Sequence, residues 1–165
     1  MSGTVEVARR KIREFETLGE PCVIFARCFG VLVSLKSLQL ENPKRLDRLV
    51  LWGAIPLWLY WKMFMRDVAD SQSTAFEKKS KLDGSFFPSL EPIEVLLPTV
   101  QHRTIITCGG EDKYSRPAFH SYLKQLCIGN AQVEFREPVV GAAHELTSEC
   151  PLEMFKSYMD TLFCA

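Results

Sequence analysis

Cys28 stands where an apolar, strand-like stretch passes directly into a helical pattern, with a small residue two positions away on either side. The local sequence is ARCFG, in which Ala26 and Gly30 are these small neighbours. A chain turns this sharply only if the central residue takes a strained backbone conformation, and small neighbours are needed because strand and helix nearly touch. The arrangement presents a thiol at the start of a helix, where the thiolate is favoured and can act as a nucleophile.

Strand and helix patterns alternate on both sides of this turn. Strands that alternate with helices favour an α/β fold, with a parallel sheet of about four strands flanked by helices and joined by right-handed crossovers. The whole chain, 1–165, is long enough to form one domain with a genuine core. Apolar periodicity predicts helices at 4–18, 29–40, 116–126 and 151–163, and strands within 22–26, 48–54, 103–112 and 131–138.

The segment 55–98 differs in character from the rest of the chain. Aromatic and methionine side chains crowd its first part, and the polar stretch DSQSTAFEKKSKLDGS follows. The segment is too long for a simple connection between two elements, so we expect it to carry helices of its own.

Charge and hydropathy argue against several classes of partner. Twenty Lys and Arg residues balance twenty Asp and Glu residues, so the net charge does not favour nucleic acid or an anionic membrane. The longest apolar run, 49–61, is interrupted by Gly53 and Pro56 and is too short to span a bilayer. The first residues are charged and amphipathic, unlike a secretory signal, and we therefore expect a cytoplasmic protein.

The sequence predicts neither a metal nor a cofactor. The six cysteines are scattered without a CxxC pair, and in a chain without an export signal we expect reduced thiols. The three histidines lack ligand-like spacing, which argues against a zinc site. A nucleotide-binding α/β protein is also disfavoured, because no glycine-rich loop follows the first strand and CGGED is followed by Tyr-Ser-Arg-Pro.

ARCFG and three later motifs together resemble the α/β-hydrolase fold, from about residue 5 to 163. ARCFG is similar to the nucleophile elbow of that family, and ENPKRLDRLVLWGAIP to the segment that leads into the next strand. IITCGGEDKYSRP resembles the loop that carries the acid of the triad, and EPVVGAAHEL the loop that carries the catalytic histidine. The cysteine is similar to that of the G-x-C-x-G motif in dienelactone hydrolases and polyester synthases, although Ala26 replaces the first glycine.

The resemblance implies a Cys-His-Asp triad that acts on an ester, thioester or lactone of small-molecule size through an acyl-enzyme. Cys28 would be the nucleophile, His144 its base, and Asp112 the group that orients the imidazole. The Phe29 N–H would donate to the oxyanion. The segment 55–98 would form a cap over the acyl pocket. The implied substrate-binding residues are Arg27, which lies beside the thiol, and the cap aromatics Trp58, Trp61 and Phe64.

In the α/β-hydrolase fold, about four strands precede the helix that corresponds to the first helix here, and a loop among them supplies a second oxyanion donor. The same resemblance implies that this sequence lacks those strands and that loop. Losing one such donor costs on the order of 10²–10³ in kcat. The strand 22–26 would then be an edge of the sheet, beside an under-covered apolar face. We expect the edge Cys22–Ala26 to be covered by a second copy of the chain in a homodimer, or by a partner chain.

A catalytically inactive relative of the hydrolases, acting as a binding or oligomerisation module, is the alternative. In that case Cys28 would be an inert buried cysteine, and Asp112 would only cap the helix that follows it. His102 and His120 are expected to be surface or core residues under either hypothesis. A Cys28 thiol within hydrogen-bonding reach of His144, with Asp112 on the other ring nitrogen, would favour the enzyme.

Overall fold

The computed structural model describes residues 3–62 and 90–144, and strands alternate with helices within these ranges. The predicted closing helix at 151–163 and residues 63–89 of the predicted cap lie outside the described residues. None of the helices in the described ranges is both long and apolar enough to cross a membrane. In chain order the elements are α1 (Gly3–Leu18), β1 (Cys22–Arg27), α2 (Phe29–Glu41), β2 (Leu46–Trp52), a helical segment at 57–62, α3 (Ile93–Leu96) with a 3-10 turn at Leu97–Thr99, β3 (Thr104–Thr107), α4 (Pro117–Leu126) and β4 (Val133–Phe135).

The four strands form one parallel sheet in the order β1-β2-β3-β4. Ala26 of β1 pairs with Leu51 of β2, Leu51 with Ile106 of β3, and Ile106 with Phe135 of β4. The predicted α/β class, with a parallel sheet of four strands flanked by helices, is confirmed. Because the strands are parallel, the loops that follow them meet at one edge of the sheet, here called the carboxyl edge.

The middle strands are the most deeply buried part of the sheet. Val50, Leu51 and Ile105 have no exposed surface, and continuous apolar runs of this kind occur where both faces of a sheet are covered. Leu51 belongs to the main core, which includes Leu32 of α2, whereas Val50 and Ile105 form a smaller cluster with Phe25. Each fully buried side chain of this size contributes roughly 1.5–3 kcal/mol to folding.

The helices begin and end where residue chemistry predicts. Gly19, with φ +78°, follows α1, and Pro117 occupies the first position of α4, where its missing N–H is not needed. The last turn of α2 closes at Asn42, whose φ is +44° and whose N–H donates to the Leu38 carbonyl at 2.8 Å. Pro43 then prevents the helix from continuing.

Basic residues of α1 bind acidic residues of the same chain. Arg9 Nε and Arg13 Nη1 contact Glu41 Oε1 at 2.5 and 2.7 Å, and the same two arginines contact Glu6 at 3.0 and 2.9 Å. These ion pairs join α1 to the end of α2. The basic face of α1 is therefore partly neutralised within the fold.

Candidate active site

Three residues singled out in the sequence follow three different strands at the carboxyl edge. Cys28 comes directly after β1, Asp112 follows β3 and His144 follows β4. The structure brings Asp112 and His144 into direct contact, and His144 interacts in turn with the Cys28 thiol.

Cys28 makes the turn from β1 into α2 with a strained backbone. Its φ is +53° and its ψ is −126°, a conformation that residues with a side chain rarely adopt. Such a residue costs on the order of 1–3 kcal/mol, so the surrounding structure must hold it in place. Its N–H donates to the Trp52 carbonyl at 3.1 Å, and its carbonyl accepts from the Val31 N–H at 3.0 Å.

The two small neighbours of Cys28 differ in how closely they are packed. Ala26 is 4% exposed, in keeping with a crowded position beneath the turn. A Cβ added at Gly30, however, would meet nothing within 4 Å among the described residues. The close approach expected at both positions is therefore found at Ala26 and not at Gly30.

Asp112 and His144 form a buried hydrogen-bonded pair. His144 Nδ1 lies 2.8 Å from Asp112 Oδ2, and this carboxyl oxygen accepts when Nδ1 carries the proton. The other oxygen, Oδ1, accepts from the N–H groups of Tyr114 and Ser115, both at 2.8 Å. The carboxylate is thus held by three donors, which fix its orientation toward the imidazole.

The local interactions set the charge state of this pair. Burial raises the pKa of Asp112, but the hydrogen bonds from His144 and from the Ser115 and Tyr114 N–H groups outweigh burial and lower it overall. Burial alone would lower the pKa of His144, yet its interactions with Asp112 and the Cys28 thiol raise it to about 9. The site therefore favours a carboxylate beside an imidazolium.

Asp112 does not cap the helix that follows it. The residue at the start of α4 is Arg116, which makes no side-chain capping hydrogen bond. Asp112 instead closes a short turn onto Tyr114 and Ser115 and turns its second oxygen to His144. The capping role considered from the sequence is therefore wrong for this carboxylate.

Gly53 leaves the space that the carboxylate and the imidazole occupy. It follows β2 at the carboxyl edge with φ +58°, and a Cβ built on it would lie 3.0 Å from His144 Nδ1 and 3.1 Å from Asp112 Oδ2. Any side chain here would be strained and would press on both partners of the pair. This role was not predicted from the sequence, although a glycine immediately after a buried strand is a signal for it.

The loops that carry Asp112 and His144 are joined by backbone hydrogen bonds. Gly110 N–H donates to the Val139 carbonyl at 2.8 Å, and Glu111 N–H donates to the Ala142 carbonyl at 3.0 Å. Gly109 lies so close that a Cβ on it would be 2.1 Å from the Ala142 oxygen. The glycine pair of CGGED thus permits two loops to touch, which the sequence pattern alone did not indicate.

Aromatic side chains surround the His144 ring and backbone. The indole Nε1 of Trp52, a residue that is 1% exposed, donates to the His144 carbonyl at 3.4 Å. The ring of Tyr114 meets the imidazole edge-on, with 5.1 Å between centroids. These contacts restrict the positions that the imidazole can take.

The Cys28 thiol also interacts with the imidazole of His144. His144 Nε2, the ring nitrogen that does not contact Asp112, is buried and has no hydrogen-bond partner within residues 3–62 and 90–144. Burial raises the pKa of this thiol, whereas interactions with His144, Tyr60 and the Phe29 N–H lower it, and the net direction is down. The local environment thus favours the thiolate.

Arg27 and Phe29, which flank Cys28, are both half-buried. The Phe29 N–H, at the first position of α2, interacts with the Cys28 sulfur. Arg27, in contrast, is not among the groups that shift the pKa of Cys28.

The predicted substrate-binding aromatics of the cap lie at the surface where they are described. Trp58 is 63% exposed and Trp61 is 42% exposed, both in the helical segment 57–62. Phe64 lies outside the described residues. Tyr60, which sequence analysis did not single out, is the aromatic side chain of this segment that interacts with Cys28.

The remaining candidate ligands lie apart from this site. His120 is 8% exposed, packs edge-on against Phe135, and has Nε2 3.4 Å from the Ile106 carbonyl. His102 is half-buried before β3. No group of three His, Cys, Asp or Glu side chains suited to a metal occurs within residues 3–62 and 90–144. The described free thiols are Cys22, Cys28, Cys108 and Cys127.

Comparison with known proteins identifies the fold of the chain by structural similarity, but it finds no relative by sequence similarity. No protein-family model matches the sequence, and no curated protein matches it significantly. Solved structures do match. The α/β hydrolase enzyme MGS-MChE2, from the metagenome of Mar Chica lagoon sediments in Morocco, superposes with a TM-score of 0.61 at 17% identity, over 97% of this chain and 69% of that chain.

Two further solved structures match in the same way. The monoacylglycerol lipase of Paleococcus ferrophilus has a TM-score of 0.59 at 14% identity, over 96% of this chain and 74% of that chain. A predicted CIB-like hydrolase of Thermoplasma acidophilum has a TM-score of 0.55 at 14% identity, over 97% of this chain and 60% of that chain. The chain thus has the fold of the α/β-hydrolases and spans 60–74% of the length of these three proteins.

Proposed function

We propose that this chain is a cysteine-dependent esterase, thioesterase or acyl transferase that works through an acyl-enzyme on Cys28. The observation that supports this most directly is the 2.8 Å contact between Asp112 Oδ2 and His144 Nδ1, beside a cysteine at a strained turn whose thiol interacts with the same imidazole. Inert buried cysteines require neither a strained backbone nor a carboxylate–imidazole pair beside them.

In the first half of the proposed reaction, the Cys28 sulfur attacks the carbonyl carbon of the substrate while His144 holds the thiol proton. The carbonyl electron pair moves to its oxygen, which accepts a hydrogen bond from the Phe29 N–H. The tetrahedral intermediate then expels the alcohol or thiol. His144 Nε2 returns the proton to this leaving group, and an acyl-Cys28 thioester remains.

In the second half, water or another acceptor attacks the acyl carbon while His144 Nε2 takes its proton. Collapse of the intermediate releases the acid or the transfer product and restores the thiol. Asp112 stabilises the imidazolium in both halves and fixes the Nδ1–H tautomer, so that Nε2 faces the reacting atoms. No oxidant, reductant or metal enters this sequence.

We further propose that the acyl group is held by a cap at 55–98. The exposed apolar rings of Trp58 and Trp61 support this, because large apolar side chains at a surface suit a binding face. Phe64 and Arg27 complete the proposed substrate-binding set.

The proposed nucleophile is tested with a panel of p-nitrophenyl esters and thioesters. Cys28→Ala is expected to abolish hydrolysis, whereas Cys22→Ala removes another half-buried thiol, at the other end of β1, and is expected to retain it. Iodoacetamide labelling followed by peptide mass spectrometry is expected to modify Cys28 first. Hydrolysis that survives Cys28→Ala, or equal labelling of both thiols, would overturn the proposal in favour of a binding module.

We propose, finally, that a second copy of the chain pairs with β1. In the described residues β1 has a strand neighbour on one side, β2. Beside it lies a groove of about 420 Å³, lined by residues of α1 and β1 that include Phe15, Leu18 and Val23. These three side chains are 50%, 70% and 40% exposed. A strand edge with an apolar groove is suited to symmetric pairing with its own copy.

The oligomeric state tests this pairing. Sedimentation of the wild-type chain is expected to give a dimer, and Val23→Lys is expected to give a monomer, because a charged edge residue opposes strand pairing. Ile128→Lys, at a position that is 83% exposed after α4, is the matched control and should remain dimeric. A wild-type monomer would remove the homodimer and leave a different partner chain as the occupant of the edge.

A further inference from the structure

Tyr60 carries a buried hydroxyl to which the proposed triad gives no role. The residue lies in the helical segment 57–62 and is 7% exposed. Its Oη has no hydrogen-bond partner of ordinary geometry within residues 3–62 and 90–144. Because an unpartnered buried hydroxyl destabilises a protein, its presence calls for a function.

Aromatic packing places this side chain at the Cys28 turn. The ring of Tyr60 meets the ring of Phe29 edge-on, with 5.2 Å between centroids and 84° between planes. Phe29 is the residue after Cys28, and the Tyr60 hydroxyl interacts with the Cys28 sulfur itself. The sulfur therefore has polar neighbours from three parts of the chain: His144, Tyr60 and the Phe29 N–H.

We propose that the Tyr60 hydroxyl donates a hydrogen bond to the Cys28 thiolate and is thereby a catalytic residue that stabilises the nucleophile. A thiolate accepts hydrogen bonds more strongly than a thiol, so a donor fixed beside the sulfur favours the charged form. Tyr60 retains its proton for this purpose, because burial and the neighbouring Cys28 charge raise its pKa above the ordinary value. The catalytic consequence rests on the function proposed above.

The groups that face the thiol come from each element packed against it. His144 approaches from the loop after β4, Tyr60 from the segment after β2, and the Phe29 N–H from α2. Asp112, from the loop after β3, affects His144 and Tyr60 rather than the sulfur directly. The contribution of Tyr60 is therefore measured in a chain that keeps His144 and Asp112 intact.

The test compares Tyr60→Phe with the wild type. Phenylalanine keeps the ring that packs on Phe29 and removes only the hydroxyl. The rate of iodoacetamide alkylation of Cys28 is followed against pH by peptide mass spectrometry, with the other cysteines as internal references. The pKa of Cys28 is expected to rise by about 1 or more, and its alkylation rate near pH 6.5 to fall about tenfold. Tyr122→Phe, on α4 and 46% exposed, is the matched control and should change neither.

An unchanged Cys28 pKa in Tyr60→Phe would overturn the proposal. A purely structural role would leave the thiol pKa as it is and alter only the unfolding curve, so both are recorded on the same sample. If the variant does not fold, 3-fluorotyrosine at position 60 provides the second test. Its hydroxyl is a stronger donor, so it is expected to lower the pKa of Cys28, and no change would again overturn the proposal.

Failure of this inference can be separated from failure of the proposed function. Ester hydrolysis is measured in parallel with alkylation. If no hydrolysis depends on Cys28, the proposed function fails, while the effect of Tyr60 on the thiol pKa is still measured. If hydrolysis depends on Cys28 but Tyr60→Phe leaves the thiol pKa unchanged, only the role of Tyr60 fails.

Discussion

The two ends of β1 carry the same side chain in opposite electrostatic environments. Cys22 is the first residue of the strand and Cys28 follows its last, and both are half-buried free thiols. Burial and the nearby Glu16 carboxylate raise the pKa of Cys22. Burial acts on Cys28 as well, yet hydrogen-bond partners at the carboxyl edge lower its pKa. Both residues are half-buried cysteines, so the difference in pKa direction comes from the groups that surround each sulfur.

The topology of a parallel sheet explains this difference. At the carboxyl edge, α2 begins and supplies an N–H group to the sulfur. The loops that follow the three other strands converge at the same edge, and the loop after β4 supplies an imidazole. At the amino end of β1, which follows the carboxyl end of α1, a neighbour of the sulfur is the Glu16 carboxylate, whose negative charge disfavours the thiolate. Burial by itself makes a thiol less reactive, and only the carboxyl edge supplies the groups that reverse it.

The largest expected effect is that of His144→Ala, which should remove the difference between the two thiols. The variant loses the imidazole that interacts with Cys28, so Cys28 alkylation at pH 7 is expected to fall to the rate of Cys22. Cys28-dependent hydrolysis is expected to fall about 10⁴-fold, as for the loss of other triad members. Alkylation rates resolved by cysteine, together with ester kinetics, measure both.

His102→Ala is the control for this variant, since His102 is half-buried at the opposite end of the sheet, before β3. It should leave both rates at their wild-type values. If Cys28 keeps its full advantage over Cys22 in His144→Ala, the imidazole is not the group that activates the thiol.

Gly53→Ala is expected to have the next largest effect, about 10²-fold on hydrolysis, because the added Cβ displaces the Asp112–His144 pair. Gly129→Ala is a matched control: Gly129 has φ +92°, but a Cβ there would meet nothing within 4 Å among the described residues. Both variants should lose about 1 kcal/mol of stability through backbone strain. Equal loss of activity in the two would show that strain, and not contact with the pair, is responsible.

The free energy of unfolding is expected to depend on pH through the same pair. Asp112 has a lowered pKa in the folded chain, so its stabilisation is present above about pH 4 and is lost as pH falls. His144 has a pKa of about 9 against an ordinary 6.5, so its stabilisation is complete below pH 6.5 and is lost as pH rises toward 9.

Urea unfolding between pH 3 and 10 measures this dependence. The free energy of unfolding is expected to fall by about 1–3 kcal/mol on the alkaline side of the maximum, and also to fall on the acid side. Asp112→Asn should flatten both sides, because it removes the carboxylate and the principal partner of the imidazole. If the free energy of unfolding of Asp112→Asn depends on pH as that of the wild type does, the Asp112–His144 pair is not the cause of the pH dependence.

The smallest expected effect is that of Gly30→Ala, which tests the packing beside Cys28. A glycine in the first turn of a helix costs conformational entropy, and no neighbour among the described residues blocks a Cβ there. Gly30→Ala should therefore increase the free energy of unfolding by about 0.5 kcal/mol and raise the melting temperature slightly. The alkylation rate of Cys28 should be unchanged. A loss of stability would indicate that the turn is as crowded at Gly30 as at Ala26.

The order and class of the elements could be predicted from the sequence, because buried strands and amphipathic helices leave different periodicities. Strand ends were predicted less well. The region 131–138 forms a strand only at Val133–Phe135, and the strand predicted to run up to the glycine pair of CGGED already ends at Thr107. Pro138 lacks an N–H for a ladder, and the glycine pair after Cys108 turns the chain toward the β4 loop. Local pattern does not specify where pairing stops.

The site could be predicted only in part, for a similar reason. Cys28 was found from its local spacing, and Asp112 and His144 from the resemblance of their loops to a known fold. Gly53 was interpreted as a break in an apolar run, and Tyr60 was not singled out among the aromatic side chains of the segment 55–98. Their importance comes from contacts with residues more than thirty positions away, which no local pattern contains.

The backbone hydrogen bonds between the loop after β3 and the loop after β4 couple the proposed acid to the proposed base. An insertion between 109 and 112, or between 139 and 144, would shift both groups together and leave the thiol behind. Anyone grafting this site onto another scaffold must therefore move both loops as one piece. A natural variant that lengthens one of them is expected to carry a compensating change in the other.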